Sequence, residues 1–370
     1  IEDLKNRNLL FRADAHLHSY PFCYRCETPL YYALQPAWFI AVHKIRKKMI
    51  EANKKINWKP EHLKNGRFGN GLKTAPDWNL SRSRFWGSPM PVWKCEKCGN
   101  LKIIGSISEL KKFAVCENEF YIMRHGESDH NINKIADGIL EHSVSNLTKK
   151  GIKQAEKTVL ALKKKGIKFD LIIASDFPRT KQMAEIAKIH LGISEIVFDA
   201  RLREIFIGIF EGKNTKEYDK YFNSLLEIEK FYKRPPEGET LTDLKIKLAS
   251  FLNDVNGKYK NKKILIVSHE YPLWILSGVA RGLNNEEIVN LRKNSKKDFI
   301  GLAECLKLKY EKLPLNKNGD LDLHKPYIDE IKLKCEKCES EVNRIKDVFD
   351  CWCESGSMPY AQNHFPFQNK

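Results

Sequence analysis

The sequence predicts an α/β domain with a mostly parallel sheet, set between two flanking segments of a different character. Short apolar runs alternate with amphipathic helical patterns from about residue 119 to residue 312. The segments on either side are instead rich in tryptophan, proline and cysteine. A chain of 370 residues is also long enough to bury more than one core, so we expect several domains.

The apolar runs predict buried strands at residues 120–123, 171–174 and 264–267. Amphipathic helices are predicted between these strands. One helix is predicted between an N-cap at Thr148 and a stop at Gly166. The apolar positions of that helix are Ile152, Ala155, Val159 and Leu162, and those of a second helix are Leu241, Leu244, Leu248, Phe251 and Val255.

The charge balance is basic, with 64 Lys and Arg residues against 47 Asp and Glu residues and a formal net charge of +17. This charge suits a polyanion such as tRNA or a phosphorylated substrate, although a lysine-rich solvated surface explains it equally well. No apolar run is long enough for a membrane span and no signal peptide is evident, so we expect a cytoplasmic protein with no membrane partner. The chain opens on Ile1 rather than methionine, so we expect a piece of a longer protein.

Polar side chains follow the predicted strands at the ends where open α/β sheets bind ligands. They are Arg124 and His125, then Ser175, Asp176, Arg179 and Thr180, then Glu204, and finally Ser268 and His269. A neutral imidazole can attack phosphorus, and guanidinium groups can bind phosphoryl oxygens. A carboxyl group can protonate the leaving oxygen. The pattern therefore predicts a phosphoryl-transfer site.

The same block resembles the histidine-phosphatase superfamily, the phosphoglycerate-mutase-like group. The motifs are RHGES at 124–128 with Asn131, LTKKGIKQA at 147–155, SDFPRT at 175–180, PEGET at 236–240 and VSH at 267–269. The resemblance covers about residues 119–310 and implies a three-layer fold. It implies that His125 is the nucleophile, that Glu204 is the acid, and that the phosphate is held by Arg124, Arg179 and His269. Asn131 and Ser268 would contribute to substrate binding.

Two departures from that family bear on the reaction. Glu270 follows the second histidine, where the family usually has glycine, and the aromatic-glycine-tryptophan stretch of the mutases is missing. We therefore expect a phosphatase rather than a mutase, acting on a phosphorylated small molecule or a nucleotide. An inactive relative that is kept as a binding or spacer module is the alternative.

The ten cysteines include three CxxC pairs, a spacing that favours metal over disulfide in a reducing compartment. Cys95 and Cys98, together with Cys335 and Cys338, supply the four sulfurs of a structural zinc site. Removing the middle block brings the two pairs within about 45 residues of each other, so we predict a zinc ribbon that the block interrupts.

A third CxxC pair, Cys23 and Cys26, predicts a further zinc knuckle. Its partners are either Cys351 and Cys353 or residues upstream of Ile1. The second alternative is favoured, in which case Cys351 and Cys353 are buried thiols on one face of a strand.

The flanks resemble isoleucyl-tRNA synthetases, through residues 18–40, 58–93, 323–331 and 348–367. The departures are Glu354, where the family has aspartate, and the cysteines at 351 and 353. The resemblance implies a Rossmann-type class I ligase with zinc and ATP as cofactors and with isoleucine and tRNA as partners. Both ATP signature motifs of that family are missing from this sequence, so ligation is expected only of a full-length enzyme.

The expected domains follow from the two resemblances. Residues 1–36 are the tail of the editing insertion with its knuckle, and residues 37–118 are a synthetase segment with the first half of the ribbon. Residues 119–312 are the phosphatase domain, and residues 313–370 complete the ribbon and return to the catalytic domain. Within residues 76–93, Arg82 and Arg84 are available to phosphates and Trp86 to packing.

The favoured function is a fragment of an isoleucine tRNA ligase that carries an inserted phosphatase. Two alternatives stay open. One is a stand-alone phosphomonoester hydrolase that uses synthetase-derived zinc modules as a scaffold. The other is a noncatalytic RNA-binding module, for which the basic charge and the zinc knuckles are sufficient.

Overall fold

The computed structural model describes residues 1–31, 34–83, 87–138, 145–293 and 298–367. Arg84 and Trp86, which the sequence assigns to phosphate contact and packing, lie outside the described residues. The chain divides into two compact units, Ile1–Arg82 and Ser83–Lys370. Among the residues described, no helix has both the length and the apolar content needed to cross a membrane.

The first unit is built from short elements. Its described helices are α1 (Glu2–Asn6), α2 (Val42–Lys54) and α3 (Arg67–Thr74), and its strands are β1 (Phe39–Ile40), β2 (Trp78–Asn79) and β3 (Ser81–Arg82). Strands β1 and β2 pair antiparallel. No described residue before Val42 is buried, and Phe11 and Tyr24 are highly exposed. The described residues of this segment therefore bury no core.

The second unit contains the remaining elements, which alternate between strand and helix over its middle part. Its described strands are β4 (Val92–Lys94), β5 (Leu101–Ile103), β6 (Glu119–Arg124), β7 (Leu171–Ala174), β8 (Ile196–Phe198), β9 (Lys263–Ser268), β10 (Cys305–Lys307), β11 (Leu333–Lys334), β12 (Glu341–Arg344) and β13 (Val348–Phe349). Its described helices are α4 (Ile107–Phe113), α5 (Asp129–Asn133), α6 (Lys149–Lys164), α7 (Pro178–Leu191), α8 (Thr215–Asn223), α9 (Leu241–Lys258), α10 (Glu270–Val279), α11 (Asn285–Lys293) and α12 (Cys351–Ala361).

A five-stranded sheet in the order β10-β6-β9-β7-β8 forms the centre of this unit, with β10 antiparallel to its neighbour and the other strands parallel. Successive residues of β9 face opposite cores. Ile264 and Ile266 belong to a cluster with α9 and α10, whereas Leu265 and Val267 belong to a cluster with α6 and α7. The expected three-layer α/β fold is confirmed.

The predicted elements of this block are also confirmed. The three predicted strands correspond to β6, β7 and β9, because each is an apolar run buried on both faces. The Thr148 side chain caps α6 by accepting a hydrogen bond from the Gly151 N–H. Gly166 follows the helix end with a φ of +69°, a conformation that glycine adopts without strain.

A second, antiparallel sheet in the order β11-β12-β4-β5 brings together the two CxxC segments. Its core packs Trp93, Leu333 and Val342, and the Trp93 indole N–H donates to the Ile331 carbonyl at 2.8 Å. The stretch 313–326 has the proline, glycine and asparagine content of a linker, yet Leu313 is buried in this core. That stretch also forms a turn closed by the bridge between Leu315 and Leu321.

The five-stranded block is joined to the ribbon at one end of its sheet. The chain enters at Glu119 and leaves at Lys307, and antiparallel pairing places Lys307 opposite Tyr121. Chain ends that lie close together allow a folded domain to be inserted into another. The opposite end of β6, at Arg124, lies about 17 Å away at 3.3 Å per residue.

One interpretation of the sequence is wrong. Cys351 and Cys353 lie on α12 rather than on one face of a strand, and Cys351 is exposed. Strand β13 ends at Phe349, and the Asp350 carboxylate then caps the helix by accepting from the Trp352 N–H. An aspartate at this position starts a helix because it satisfies one of the free N–H groups of the first turn.

Candidate active site and metal centre

Two neighbouring parallel strands deliver the two histidines of the candidate active site. Arg124 ends β6 and Ser268 ends β9, and these two residues are paired in register. His125 and His269 follow them directly, with ring centroids 5.2 Å apart. Parallel strands end at the same edge of a sheet, so the strand register itself brings the imidazoles together.

His125 is held as a neutral imidazole with one nitrogen committed. The ring is 2% exposed, and its Nδ1 lies 2.8 Å from the Gly126 carbonyl oxygen, to which Nδ1–H can donate. Burial and the nearby Arg179 charge lower the pKa of His125 well below its usual value. This arrangement leaves the lone pair on Nε2, the form of histidine that acts as a nucleophile.

The strand-to-helix turn after His125 requires close backbone contact. A Cβ atom on Gly126 would lie 2.5 Å from the Gly151 carbonyl oxygen at the start of α6. Glycine is the residue that permits such an approach. The RHG segment at 124–126 and the KKG segment at 149–151 therefore pack closely against each other.

Both arginines predicted to bind phosphate have carboxylate partners. Arg179 is 1% exposed, and its Nη1 lies 2.6 Å from an Asp137 carboxylate oxygen. Arg124 pairs with Asp298 at 3.0 Å and donates to the Ile300 carbonyl at 2.9 Å. A phosphate dianion must therefore compete with Asp137 for Arg179. The dianion carries more charge and more acceptor oxygens than one carboxylate, which favours the exchange.

His269 is fully buried, and only one of its two ring nitrogens has a hydrogen-bond partner among the described residues. Its Nε2 lies 2.9 Å from the Ser175 hydroxyl, and within the described residues its buried Nδ1 has no hydrogen-bond partner. Burial, followed by the Arg179 charge, lowers the pKa of His269 well below its usual value. A neutral imidazole with a free Nδ1 can contact a bound phosphoryl group, provided that the tautomer places the proton there.

Glu204 lies in the loop after β8, where it is well suited to exchange protons near neutral pH. Burial raises the pKa of Glu204 to about 7, and the like charge of Glu270 acts in the same direction. One carboxylate oxygen of Glu204 accepts from the Ile205 N–H at 3.0 Å. A carboxyl group with such a pKa can serve first as acid and then as base.

The two residues predicted to bind substrate, Asn131 and Ser268, both form hydrogen bonds with the protein itself. The Asn131 side chain accepts from the Ser128 N–H and completes a capping box on α5. The Ser268 hydroxyl donates to the Leu202 carbonyl at 2.6 Å, which fixes the segment before Glu204. Their contact with substrate stays a prediction.

Sequence reasoning missed several groups that border this site. The His130 ring lies 5.5 Å from the His125 ring. Asp137 and Asp298 pair with arginines that lie 42 and 174 residues away, and no motif indicates such pairs. Glu270, recognised only as a departure from the family, is buried and pairs with Arg292 at 3.3 Å. Of these groups, Glu270 is the one that the sequence could have indicated, because it stands directly after His269 where the family usually has glycine.

The ribbon gathers four cysteines into a candidate metal centre. The Sγ atoms of Cys95, Cys98, Cys335 and Cys338 all lie within 4.8 Å of one another, and the shortest cross-pairs are 3.5 and 3.6 Å. Sulfurs bound at about 2.3 Å to a tetrahedral zinc ion are about 3.8 Å apart. The cluster thus has the size and the donor set of a structural zinc site.

All three CxxC segments adopt the same backbone turn. In each, the first cysteine N–H donates to the carbonyl five residues later, and its carbonyl accepts from the N–H four residues later, at 2.8 to 2.9 Å. The residue after the second cysteine is left-handed, with φ values of +54° at Glu27, +71° at Gly99 and +59° at Glu339. Among the described residues, no second pair of ligands approaches Cys23 and Cys26. Zinc binding at that knuckle stays a prediction.

Two family models match different parts of the chain. The sequence model of the class I tRNA synthetases (I, L, M and V) matches residues 13–148 and 293–370, which is more than half of the chain. The model of the histidine phosphatase superfamily (branch 1) matches residues 120–296. The chain therefore belongs to the class I tRNA synthetases and carries a histidine-phosphatase domain.

Individual relatives make the synthetase assignment more specific. The chain is 56% identical to the isoleucine-tRNA ligase of Thermoplasma acidophilum over 108 residues, which are 29% of this chain and 10% of that ligase. It is 49% identical to the ligase of Dehalococcoides mccartyi over 109 residues, 30% of this chain and 11% of that protein. The chain thus spans about a tenth of the length of these relatives. Its synthetase segment resembles isoleucine-tRNA ligases.

Solved structures that are similar to this chain include two phosphatases. A mycobacterial glucosyl-3-phosphoglycerate phosphatase aligns with 52% of this chain and 92% of its own, at 21% identity and a TM-score of 0.45. The alpha-ribazole phosphatase from Shigella flexneri aligns with 54% of this chain and 92% of its own, at 20% identity and a TM-score of 0.43.

Proposed function

We propose that this chain is a segment of an isoleucine-tRNA ligase that carries an inserted phosphomonoester phosphatase of the phosphohistidine type. The ligase part is supported by the 56% identity over 108 residues. The phosphatase part is carried by one observation above all: His125 is buried and neutral, with Nδ1 bound to the Gly126 carbonyl and Nε2 available.

The reaction would proceed through two displacements. His125 Nε2 forms a bond to phosphorus while the bond from phosphorus to the leaving oxygen breaks, and the Glu204 carboxyl gives its proton to that oxygen. Water then attacks the phosphohistidine, Glu204 takes the proton of the water, and the nitrogen–phosphorus bond breaks. Inorganic phosphate leaves and neutral His125 is restored. Arg124 and Arg179 neutralise the phosphoryl charge throughout.

The pH dependence of hydrolysis tests the role of Glu204. The protonated carboxyl is the active form in the first displacement, so kcat/KM should fall as the pH rises through about 7, the raised pKa of Glu204. His125 adds no limb near neutrality because its pKa is lowered well below its usual value. The Glu204→Gln variant should lose about 10²–10⁴-fold in rate with a poor leaving group, and it should lose the limb near pH 7. An unchanged limb in that variant would argue against the assignment.

The position of the active site favours a diffusible substrate. The chain joins the ribbon at Glu119 and Lys307, whereas His125 lies at the opposite end of the sheet. A phosphorylated small molecule or nucleotide in solution reaches that end freely. A tRNA end held near the ribbon, the other substrate that the insertion point suggests, would lie about 20 Å away along β6.

Zinc is the metal that fits the four ribbon cysteines. Thiolates are preferred zinc ligands, and a structural zinc site has four protein ligands. The ribbon provides four sulfurs, and Cys95 and Cys335 are buried. When bound, the ion would cross-link the two halves of the ribbon that the phosphatase separates. It would have no part in phosphoryl transfer.

A stand-alone hydrolase that uses the ribbon only as a scaffold is the alternative. The distinguishing measurement is isoleucine-dependent exchange of pyrophosphate into ATP by the protein expressed from the complete reading frame. Exchange would establish the ligase. If exchange is missing while aryl phosphate is hydrolysed, the chain is a hydrolase on a synthetase-derived scaffold.

A further inference from the structure

Tyr218 is a buried tyrosine near Glu204 that has no role in the reaction proposed above. Tyr218 lies on α8, is 9% exposed, and packs its ring against Phe222 at 4.5 Å and Phe210 at 6.0 Å between centroids. Phe210 belongs to the same loop as Glu204. That loop is fixed because the Glu211 carboxylate accepts from the Ile207 and Gly138 N–H groups. Tyr218 thus packs against the loop that carries Glu204.

The hydroxyl group distinguishes this tyrosine from its neighbours. The Tyr221 hydroxyl donates to the Arg234 carbonyl at 3.0 Å, and the Tyr271 hydroxyl is hydrogen-bonded to Arg292. The Tyr218 hydroxyl is buried and, within the described part of the chain, has no hydrogen-bond partner. A buried hydroxyl without a partner destabilises a fold, and phenylalanine would fill the same space without that cost.

The Tyr218 hydroxyl interacts with Glu204, the proposed acid of the reaction. The charged groups that act on it are Glu204, Arg292 and Asp219, together with the phenol of Tyr271. Burial holds the pKa of Tyr218 well above its usual range, so the hydroxyl keeps its proton and is available as a donor. The charge of Glu204 acts on the Tyr218 hydroxyl, so the two groups lie near each other. Because Glu204 is proposed to protonate the leaving oxygen, a donor near Glu204 is suited to contact the same atom.

We propose that Tyr218 is a further catalytic residue, whose hydroxyl donates a hydrogen bond to the leaving oxygen of the substrate beside the Glu204 carboxyl. This inference rests on the proposed phosphatase function. Tyr218 keeps its proton throughout, and the proton that the leaving alcohol acquires comes from Glu204. The contribution of such a donor grows with the negative charge that develops on the oxygen, and therefore with the pKa of the leaving alcohol.

The test compares 4-nitrophenyl phosphate, which has a good leaving group, with ethyl phosphate, which has a poor one. In the 370-residue chain, Tyr218→Phe should lower kcat/KM for ethyl phosphate by about tenfold to a hundredfold while changing that for 4-nitrophenyl phosphate by less than about threefold. The thermal midpoint should be unchanged or higher, because the substitution removes only an unpartnered hydroxyl. Tyr221→Phe is the matched control, and both substrates should be hydrolysed at the unmodified rate.

The possible outcomes distinguish failure of the Tyr218 inference from failure of the phosphatase function. A Tyr218→Phe variant with the same ratio of kcat/KM for the two phosphates as the unmodified chain would overturn this inference alone. That outcome includes a loss that is equal for both phosphates, which would indicate a structural role. Failure of the unmodified chain to hydrolyse either phosphate would overturn the phosphatase function together with this inference.

Discussion

Hydrolysis of 4-nitrophenyl phosphate is expected to fall at least about a thousandfold in kcat when His125 is replaced by alanine. In the proposed reaction the imidazole provides the atom that bonds to phosphorus, and alanine reproduces neither its position after β6 nor its free Nε2. The variant should fold, because it removes a buried polar ring and leaves both apolar core clusters intact. Steady-state kinetics beside circular dichroism measures both properties.

The matched control for that variant is His324→Ala. The His324 side chain is 78% exposed and pairs only with Asp322 among the described ion pairs, so its loss should leave the rate unchanged. If His125→Ala hydrolysed aryl phosphate at the unmodified rate, the nucleophile would have to be another group. If both variants lost activity equally, the effect of His125→Ala would be one of stability.

The second large effect is expected when the ribbon loses its metal. The purified chain should contain one zinc ion at the four ribbon cysteines, and Cys335→Ser should lose it. A structural zinc site contributes on the order of 10 kcal/mol of folding free energy in small metal-dependent folds. The amides of β4 and β12 should therefore exchange with solvent deuterium much faster in the variant.

The phosphatase should survive this loss of metal. Its two core clusters contain none of the ribbon cysteines, which pack instead with Trp93 and Leu333 in a cluster of their own. Cys116→Ser serves as the control, since Cys116 lies outside the four-cysteine group. Less than one zinc per unmodified chain, measured by elemental analysis, would contradict the ribbon site. An equal loss of zinc in the Cys116 variant would do the same.

The central strands were predictable because each is marked by a continuous apolar run in its own sequence. The strands β6, β7 and β9 are apolar runs buried on both faces, and such runs are visible in a sequence without knowledge of their partners. The edge strands β8 and β10 were not predicted, since each has three residues and Phe198 and Leu306 are exposed. An edge strand has too few buried positions to produce a clear pattern.

The candidate site was predictable in its motif residues and unpredictable in their partners. His125 and His269 follow strands whose order implies a shared edge, so their proximity could be inferred. The carboxylates that pair with the arginines could not, because Asp137 and Asp298 are brought in by loops that have no sequence pattern of their own. The buried Lys245 forms a similar long-range contact with the half-exposed Asp320, which fixes a stretch that resembles a linker in sequence.

Trapping the covalent intermediate tests directly whether His125 is the nucleophile. The chain would be mixed briefly with 4-nitrophenyl phosphate, denatured in alkali, digested, and searched by mass spectrometry for a phosphoryl group. We predict one acid-labile phosphoryl group, on the peptide that contains His125, and none in His125→Ala. Sustained hydrolysis without any phosphohistidine, or with the phosphoryl group on a different residue, would contradict the role of His125 as the nucleophile.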